Sequence, residues 1–221
     1  MRELPAGDDA VLLDFSDDDD PAAAAAHCAR VLREAAAAGG PDIADAVPSA
    51  YGVLVQGRPG HGIDVLGVRR VLRSAVPGET SPAVADPAGI VIPAIYDGAD
   101  LHDVAARAGV SPLAVVRAHC AVRWRVQFMG FAPGFGYLVP DADSPADARA
   151  VFAPLTRRDQ PRPAVPAGSV AVAAGYSAIY PRTSPGGWFL LGRTDREMWD
   201  LGADPPALLS AGTRVRFTCA D

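Results

Sequence analysis

The sequence predicts an α+β chain in two parts, a small α/β domain over residues 1–80 and a β-rich domain over residues 81–221. Three observations carry this. Apolar patterns in the N-terminal part follow a β-α-β-α order, and Val76 to Gly89 (V-P-G-E-T-S-P-A-V-A-D-P-A-G) has the Pro and small-residue content of a linker. Beyond it, short apolar runs alternate with Gly/Pro turns.

In the first part, Ala10 to Phe15 reads as a strand, and Asp17 to Asp20 followed by Pro21 as the start of a helix running to Ala38. Cys28, Val31, Leu32 and Ala35 give that helix one apolar stripe, Gly39-Gly40 ends it, and the aspartates suit its positive N-terminal end better than a metal site. Tyr51 to Gln56 is a second strand and Ile63 to Ala75 a second helix. The order suggests a domain of the split ferredoxin-like kind.

In the second part, strands are expected at Ile90–Tyr96, Val122–Met129, Ser169–Ala174, Ala178–Tyr180, Trp188–Leu191 and Thr213–Thr218, as in a barrel. A helical insert interrupts them. Leu101 to Ala108 reads as helix, and Ser111-Pro112 pairs a cap with a first-turn proline to start another that reaches Cys120.

Composition limits the chemistry. A net charge of -6 argues against nucleic acid as a partner, because phosphate binding needs a basic face. All 20 basic residues are Arg. Without Lys there is no Walker A phosphate loop, no Schiff base and no biotin- or lipoate-type attachment site. No run of 18 apolar residues occurs, M-R-E-L-P-A-G-D-D does not resemble a signal peptide, and Cys28, Cys120 and Cys219 suit free thiols, so a cytoplasmic protein without membrane association is expected.

Two stretches stand out. Phe128 to Leu138 reads F-M-G-F-A-P-G-F-G-Y-L, and Tyr180 to Asp200 reads Y-P-R-T-S-P-G-G-W-F-L-L-G-R-T-D-R-E-M-W-D. Gly130, Pro133, Gly134 and Gly136 break helical and strand periods, so the first stretch reads as strand, shaped turn, strand. Glycine permits close approach of a backbone or ligand, and Phe131, Phe135 and Tyr137 supply rigid apolar walls with one polar handle. A hairpin corner packed on a core is the alternative reading.

These motifs, with Val165-Pro166-Ala167-Gly168-Ser169-Val170, resemble the allophanate hydrolase subunit 1 family, whose members include the B-type subunit of 5-oxoprolinase and the kinase inhibitor KipI. The match runs from about residue 90 to the C-terminus, with a weaker echo at Gly7 to Phe15. Ala174-Gly175-Tyr176-Ser177-Ala178 departs from the family's Gly, Gln, Thr-Gly run, and R-P-G-H-G after Gln56 lacks its Asp-Pro turn. The resemblance implies a cyclophilin-like β-barrel for the second domain. It also implies the smaller subunit of a cytoplasmic, ATP-dependent amidohydrolase, foremost a 5-oxoprolinase converting 5-oxoproline to glutamate. Its implied partners are a homologous larger subunit, of the allophanate hydrolase subunit 2 kind or the C-type of 5-oxoprolinase, and a lactam-utilisation protein, with ATP held at the level of the complex. A KipI-like inhibitor of a histidine kinase and a subunit of an allophanate-degrading system are the alternatives.

Candidate residues follow. His27, His61, His102 and His119 share no metal-ligand spacing, so no metal site is expected. His119 ends a helix and aligns with a family histidine; a catalytic role and a helix-end contact both fit. No Ser sits in G-x-S-x-G, and Cys120 beside His119 points about 100° away on a helix, so covalent catalysis by this chain alone is not expected. Positioning roles remain. Ser184, Gly186 and Gly187 form a turn able to present N–H groups, and Arg193 can clamp a carboxylate or phosphate, or pair with Asp195 or Asp200 at the surface. Phe131, Pro133, Gly134, Phe135, Tyr137, Gly168, Ser169, Tyr180, Trp188 and Trp199 complete the expected binding set, the aromatics as exposed anchors for a partner.

Overall fold

The computed structural model describes residues 1–75 and 89–220, so the expected linker falls outside the described residues except at Gly89. The chain divides into two compact units, Met1–Pro82 and Ala83–Asp221.

The first unit contains β1 (Arg2–Pro5), β2 (Ala10–Asp14), α1 (Pro21–Ala37), β3 (Asp45–Pro48), β4 (Gly52–Gln56) and α2 (Val65–Ser74). Its sheet order is β1-β2-β4-β3. β2 and β3 both run antiparallel to β4, so α1 crosses between two parallel strands that have β4 inserted between them. Asp20 caps α1 by accepting from the Ala23 amide at 3.0 Å, and Asp64 caps α2 from Gly67 at 2.8 Å. Ala25, Cys28, Ala29 and Leu32 of α1 pack on Val11, Leu13, Val53 and Val55 of the sheet. The order is therefore β-β-α-β-β-α, two strands more than the sequence pattern predicts. Both additions are four-residue edge strands ending in proline, Pro5 and Pro48, and such strands carry little alternation to read.

The second unit contains β5 (Ile90–Ala94), α3 (Leu101–Ala108), α4 (Pro112–Ala121), β6 (Trp124–Met129), β7 (Gly136–Pro140), α5 (Ala146–Ala150), β8 (Arg162–Val165), β9 (Ser169–Ala173), β10 (Tyr176–Ile179), β11 (Ser184–Gly186), β12 (Phe189–Arg193) and β13 (Arg214–Cys219). Seven strands form one sheet in the order β12-β9-β10-β7-β6-β13-β5, and β8 pairs with β11 as a separate ribbon. The ends of the sheet meet at a bridge between Ile95 and Arg193, giving a nearly closed barrel. Only glycine fits there: a Cβ on Gly192 would lie 2.0 Å from the Ile95 carbonyl oxygen.

Strand periodicity divides the side chains of this sheet between two cores. Val170 and Val172 of β9, Ile179 of β10, Leu138 of β7 and Phe189 and Leu191 of β12 join the larger core, packed with Trp124, Phe217 and residues of α3 and α4. Their neighbours Ala171, Ala173, Ala178, Tyr180 and Leu190 join a second core with Phe135, Val165 and Trp188. The run S-V-A-V-A in β9 thus has bulk on one face and small residues on the other, leaving room for aromatic rings.

Candidate functional site

The second core holds the candidate site. β6 and β7 are joined by Gly130 to Phe135, closed by hydrogen bonds from the Gly130 amide to the Phe135 carbonyl (3.1 Å) and from the Phe135 amide to Ala132 (3.0 Å). Phe135 is 2 % exposed and forms the hub of the cluster. Its ring meets Tyr137 at 5.0 Å, Phe131 at 5.1 Å, Tyr180 at 5.4 Å and Trp188 at 5.7 Å between centroids, each edge to face. Phe128 stacks on Tyr137 at 4.3 Å.

Phe131 differs from the others. It is 58 % exposed and its φ of 65° lies in the left-handed region, which costs a side-chain-bearing residue about 1–2 kcal/mol. Strain retained at an exposed aromatic is a feature of functional loops. Gly134 has a φ of 80°, and a Cβ there would meet the Met198 carbonyl oxygen at 2.8 Å and the Trp199 Cβ at 3.0 Å. Trp199, half-buried, therefore props the loop from behind, and Pro133 lies exposed in it.

A pocket of about 100 Å³ opens on this cluster. Phe131, Phe135, Tyr137 and Trp188 form its aromatic walls, and Tyr180 just after β10, Gly186 at the end of β11 and Gly187 beyond it also line it. Gly186 is required by contact, because a Cβ would fall 2.3 Å from the Tyr180 hydroxyl. Burial pushes the phenol pKa of both Tyr180 and Tyr137 up, opposed in each by the nearby Arg157 cation and, for Tyr180, by Arg162 and the Trp188 amide. Both phenols stay protonated near neutral pH and can donate.

Arg157 completes the pocket, and sequence reasoning missed it. Its neighbour Arg158 is committed elsewhere: Asp100, 3 % exposed, accepts from Arg158 at 2.5 Å, Arg162 at 2.7 Å and the Leu190 amide at 2.7 Å. The Arg158 amide donates to the Gly187 carbonyl at 2.8 Å. That clamp fixes the segment bearing Arg157, which is exposed and forms no ion pair among the described residues. The doublet R-R-D was the available signal, but only the fold decides which arginine is free.

Other expected residues are placed as follows. Gly168 donates to the Tyr180 carbonyl at 2.8 Å, and the Ser169 carbonyl accepts from the Tyr180 amide at 3.0 Å, so both hold the backbone of Tyr180. Ser184 pairs with Val165 across the β8–β11 ribbon, its Oγ buried without a hydrogen-bond partner among the described residues. Phe135 and Trp188 are not exposed anchors: at 2 % and 6 % exposure they interlock with the rest of the cluster, and Phe131 alone of the three reaches the surface.

His119 and Arg193 do not line this pocket. His119 is fully buried in the larger core, its Nδ1 2.8 Å from the Tyr96 hydroxyl and its Nε2 2.9 Å from Ser177 Oγ, with Phe217 packed at 4.4 Å between ring centroids. Burial drives its pKa down to about 3, so the imidazole is neutral and both nitrogens are satisfied. Arg193 pairs through Nε with Asp97 at 2.9 Å, not with Asp195 or Asp200, because barrel closure brings the segment after β5 alongside it. It borders a separate surface depression with Thr194, Asp195 and Arg196. Among the described residues, no group of three or more His, Cys, Asp or Glu could hold a metal ion, and no helix is long and apolar enough to cross a membrane.

The family described as "Carboxyltransferase domain, subdomain C and D" matches residues 1–209. The chain belongs to this family. Within it, the chain is 35 % identical over 181 residues to the B-type 5-oxoprolinase subunit of Escherichia coli O157:H7, covering 80 % of this chain and 78 % of that protein. It is 37 % identical over 131 residues to the B-type 5-oxoprolinase subunit of Bacillus subtilis (strain 168), covering 58 % of this chain and 51 % of that one. These matches bear out the resemblance to the family of allophanate hydrolase subunit 1 and the B-type 5-oxoprolinase subunits. The crystal structure of TTHA0988 superposes with a TM-score of 0.76 at 33 % identity over 96 % of this chain, which spans only 40 % of that longer protein. The Kluyveromyces lactis urea amidolyase, at 17 % identity, shares the fold with a TM-score of 0.72 over 99 % of this chain and 15 % of its own length. This carboxyltransferase-type fold therefore occurs both as a chain of this size and as a module of larger proteins.

Proposed function

We propose that the chain is the smaller subunit of a cytoplasmic, ATP-dependent 5-oxoprolinase-type complex, working with a homologous larger subunit to open the lactam of 5-oxoproline to glutamate. The observation that carries this is the 35 % identity to a B-type 5-oxoprolinase subunit across 80 % of the chain. The pocket agrees with it: Phe131, Phe135, Tyr137, Tyr180, Gly186, Gly187 and Trp188 converge from three separate segments on a space suited to one small ring.

The chain's role is to bind and orient. Lactam opening needs an attacking oxygen and an activated carbonyl, and among the described residues the pocket supplies walls, hydrogen-bond donors and one cation but no carboxylate, imidazole or thiol to act as base or nucleophile. ATP is assigned to the complex, because this chain has no Lys and so no Walker A phosphate loop. Its bound phosphates would supply carbonyl activation, with arginines or the larger subunit holding them.

For the fold, the first unit supports a ferredoxin-like reading. Its β-β-α-β-β-α order is the ferredoxin-like β-α-β-β-α-β with the last strand moved to the front. The nearly closed sheet supports a cyclophilin-like reading of the second unit.

Co-expression with a tagged larger subunit tests the assembly. One stable complex at micromolar concentration is expected; recovery of separate species only would refute it.

A further inference from the structure

The aromatic pocket has a sign as well as a shape. Among the described residues its lining includes one formal charge, the Arg157 guanidinium, and no carboxylate. Arg158 and Arg162, the neighbouring arginines, are both held by Asp100. Tyr137 and Tyr180 also line the space, and burial keeps their phenols protonated and able to donate. A cavity offering donors and one unshared cation complements an anion and leaves a neutral or cationic ligand unmatched.

The ligand class follows from size and charge together. At about 100 Å³ the pocket is well below the range of roughly 300–1,000 Å³ typical of nucleotide- or drug-sized ligands, so it admits a single small ring. One planar guanidinium matches one carboxylate in a two-point fork, a geometry that phosphate oxygens also satisfy, so the apolar ring walls favour a ring-bearing acid and inorganic phosphate is the competitor to test.

We propose that this pocket binds a small ring-bearing carboxylate, with the ring against Phe131, Phe135 and Trp188 and the carboxylate paired with Arg157 at the mouth. Arg157 is then the residue that selects acids over neutral lactams. The inference deepens the 5-oxoprolinase reading and rests on it only for the choice of 5-oxoproline as first ligand.

Isothermal titration of the full chain with 5-oxoproline, cyclopentanecarboxylate, 2-pyrrolidinone and inorganic phosphate tests it. Arg157 is exposed, so Arg157→Gln should fold normally. The two carboxylates should bind the wild-type chain, lose about 10- to 100-fold in Arg157→Gln, and recover part of that in Arg157→Lys. The neutral 2-pyrrolidinone should bind at least about tenfold more weakly and ignore the substitution. Carboxylate binding unchanged in Arg157→Gln, phosphate competing as well as the carboxylates, or no carboxylate binding at millimolar concentration would each overturn the proposal. The two readings separate cleanly. Cyclopentanecarboxylate held through Arg157 with 5-oxoproline rejected keeps the carboxylate pocket and removes the 5-oxoprolinase assignment; 5-oxoproline bound equally by wild type and Arg157→Gln does the reverse.

Discussion

Ile95 and Arg193 exchange both backbone hydrogen bonds, each at 2.8 Å, and so join the two edge strands of the seven-stranded sheet. The Arg193 side chain meanwhile lies in a half-exposed pair with Asp97. Backbone and side chain of one residue therefore do different jobs, and mutation separates them. Arg193→Ala keeps the bridge and should cost below about 1 kcal/mol, as exposed ion pairs do. Gly192→Ala forces a Cβ onto the Ile95 carbonyl and should cost about 2–4 kcal/mol. Denaturant titration of both variants decides; equal costs would deny the seam its special role.

Asp100 is a buried carboxylate serving two guanidinium groups and a backbone amide. Asp100→Ala strands those donors, and a loss of about 2–4 kcal/mol is expected, discounted because Arg158 and Arg162 keep about a quarter of their side-chain surface. The same variant should weaken pocket ligands by releasing the segment that carries Arg157. Unfolding curves and ligand titration check the two effects separately; a stability change within about 0.5 kcal/mol would contradict the clamp.

Phe131 holds a left-handed backbone while mostly in solvent. Glycine adopts that conformation freely, so Phe131→Gly should leave stability unchanged or raise it by up to about 1 kcal/mol while removing a wall of the pocket. Thermal melts should hold or rise while ligand titration shows weaker binding. A variant that unfolds easily and binds normally would make Phe131 a structural residue.

His119 gives the second unit an acid sensitivity whose sign is fixed. Its folded-state pKa, about 3, lies below the ordinary 6.5, so its contribution to stability is complete above pH 6.5 and is lost as pH falls toward 3. Between pH 7 and 5 the loss should be about 2 kcal/mol from this group. His119→Gln should flatten the stability profile in that window, which lies above most carboxylate titrations. An unaltered slope would mean that the imidazole is not the group responsible.

Caps and apolar runs in the sequence indicate much of the local structure, though not the short edge strands β1 and β3, whose length and prolines leave little alternation to read. The Asp20-Pro21 start of α1, the Ser111 cap of α4 and the short apolar strand β9 all lie where the residues indicate. Of the expected binding set, Phe131, Phe135, Tyr137, Tyr180, Gly186, Gly187 and Trp188 line one pocket, whereas Pro133, Gly134, Gly168, Ser169, Ser184 and Trp199 do not. What could not be read depends on long-range closure. Arg193 finds Asp97, 96 residues away, only after the barrel joins its edges. Arg157 becomes the pocket cation only because Asp100 engages Arg158 from the start of α3. His119 looks poised near neutrality in sequence, and burial among Tyr96, Trp124, Phe152 and Phe217 reverses that.

The central claim is that this chain supplies the binding pocket of a 5-oxoprolinase-type complex. Its most direct test is the rate of 5-oxoproline-dependent ATP hydrolysis by the chain reconstituted with its larger subunit. Turnover should require both subunits, be absent from this chain alone, and fall at least about tenfold in Arg157→Gln with the complex intact. Activity of the isolated chain, or a reconstituted complex whose ATP hydrolysis ignores 5-oxoproline, would contradict the account.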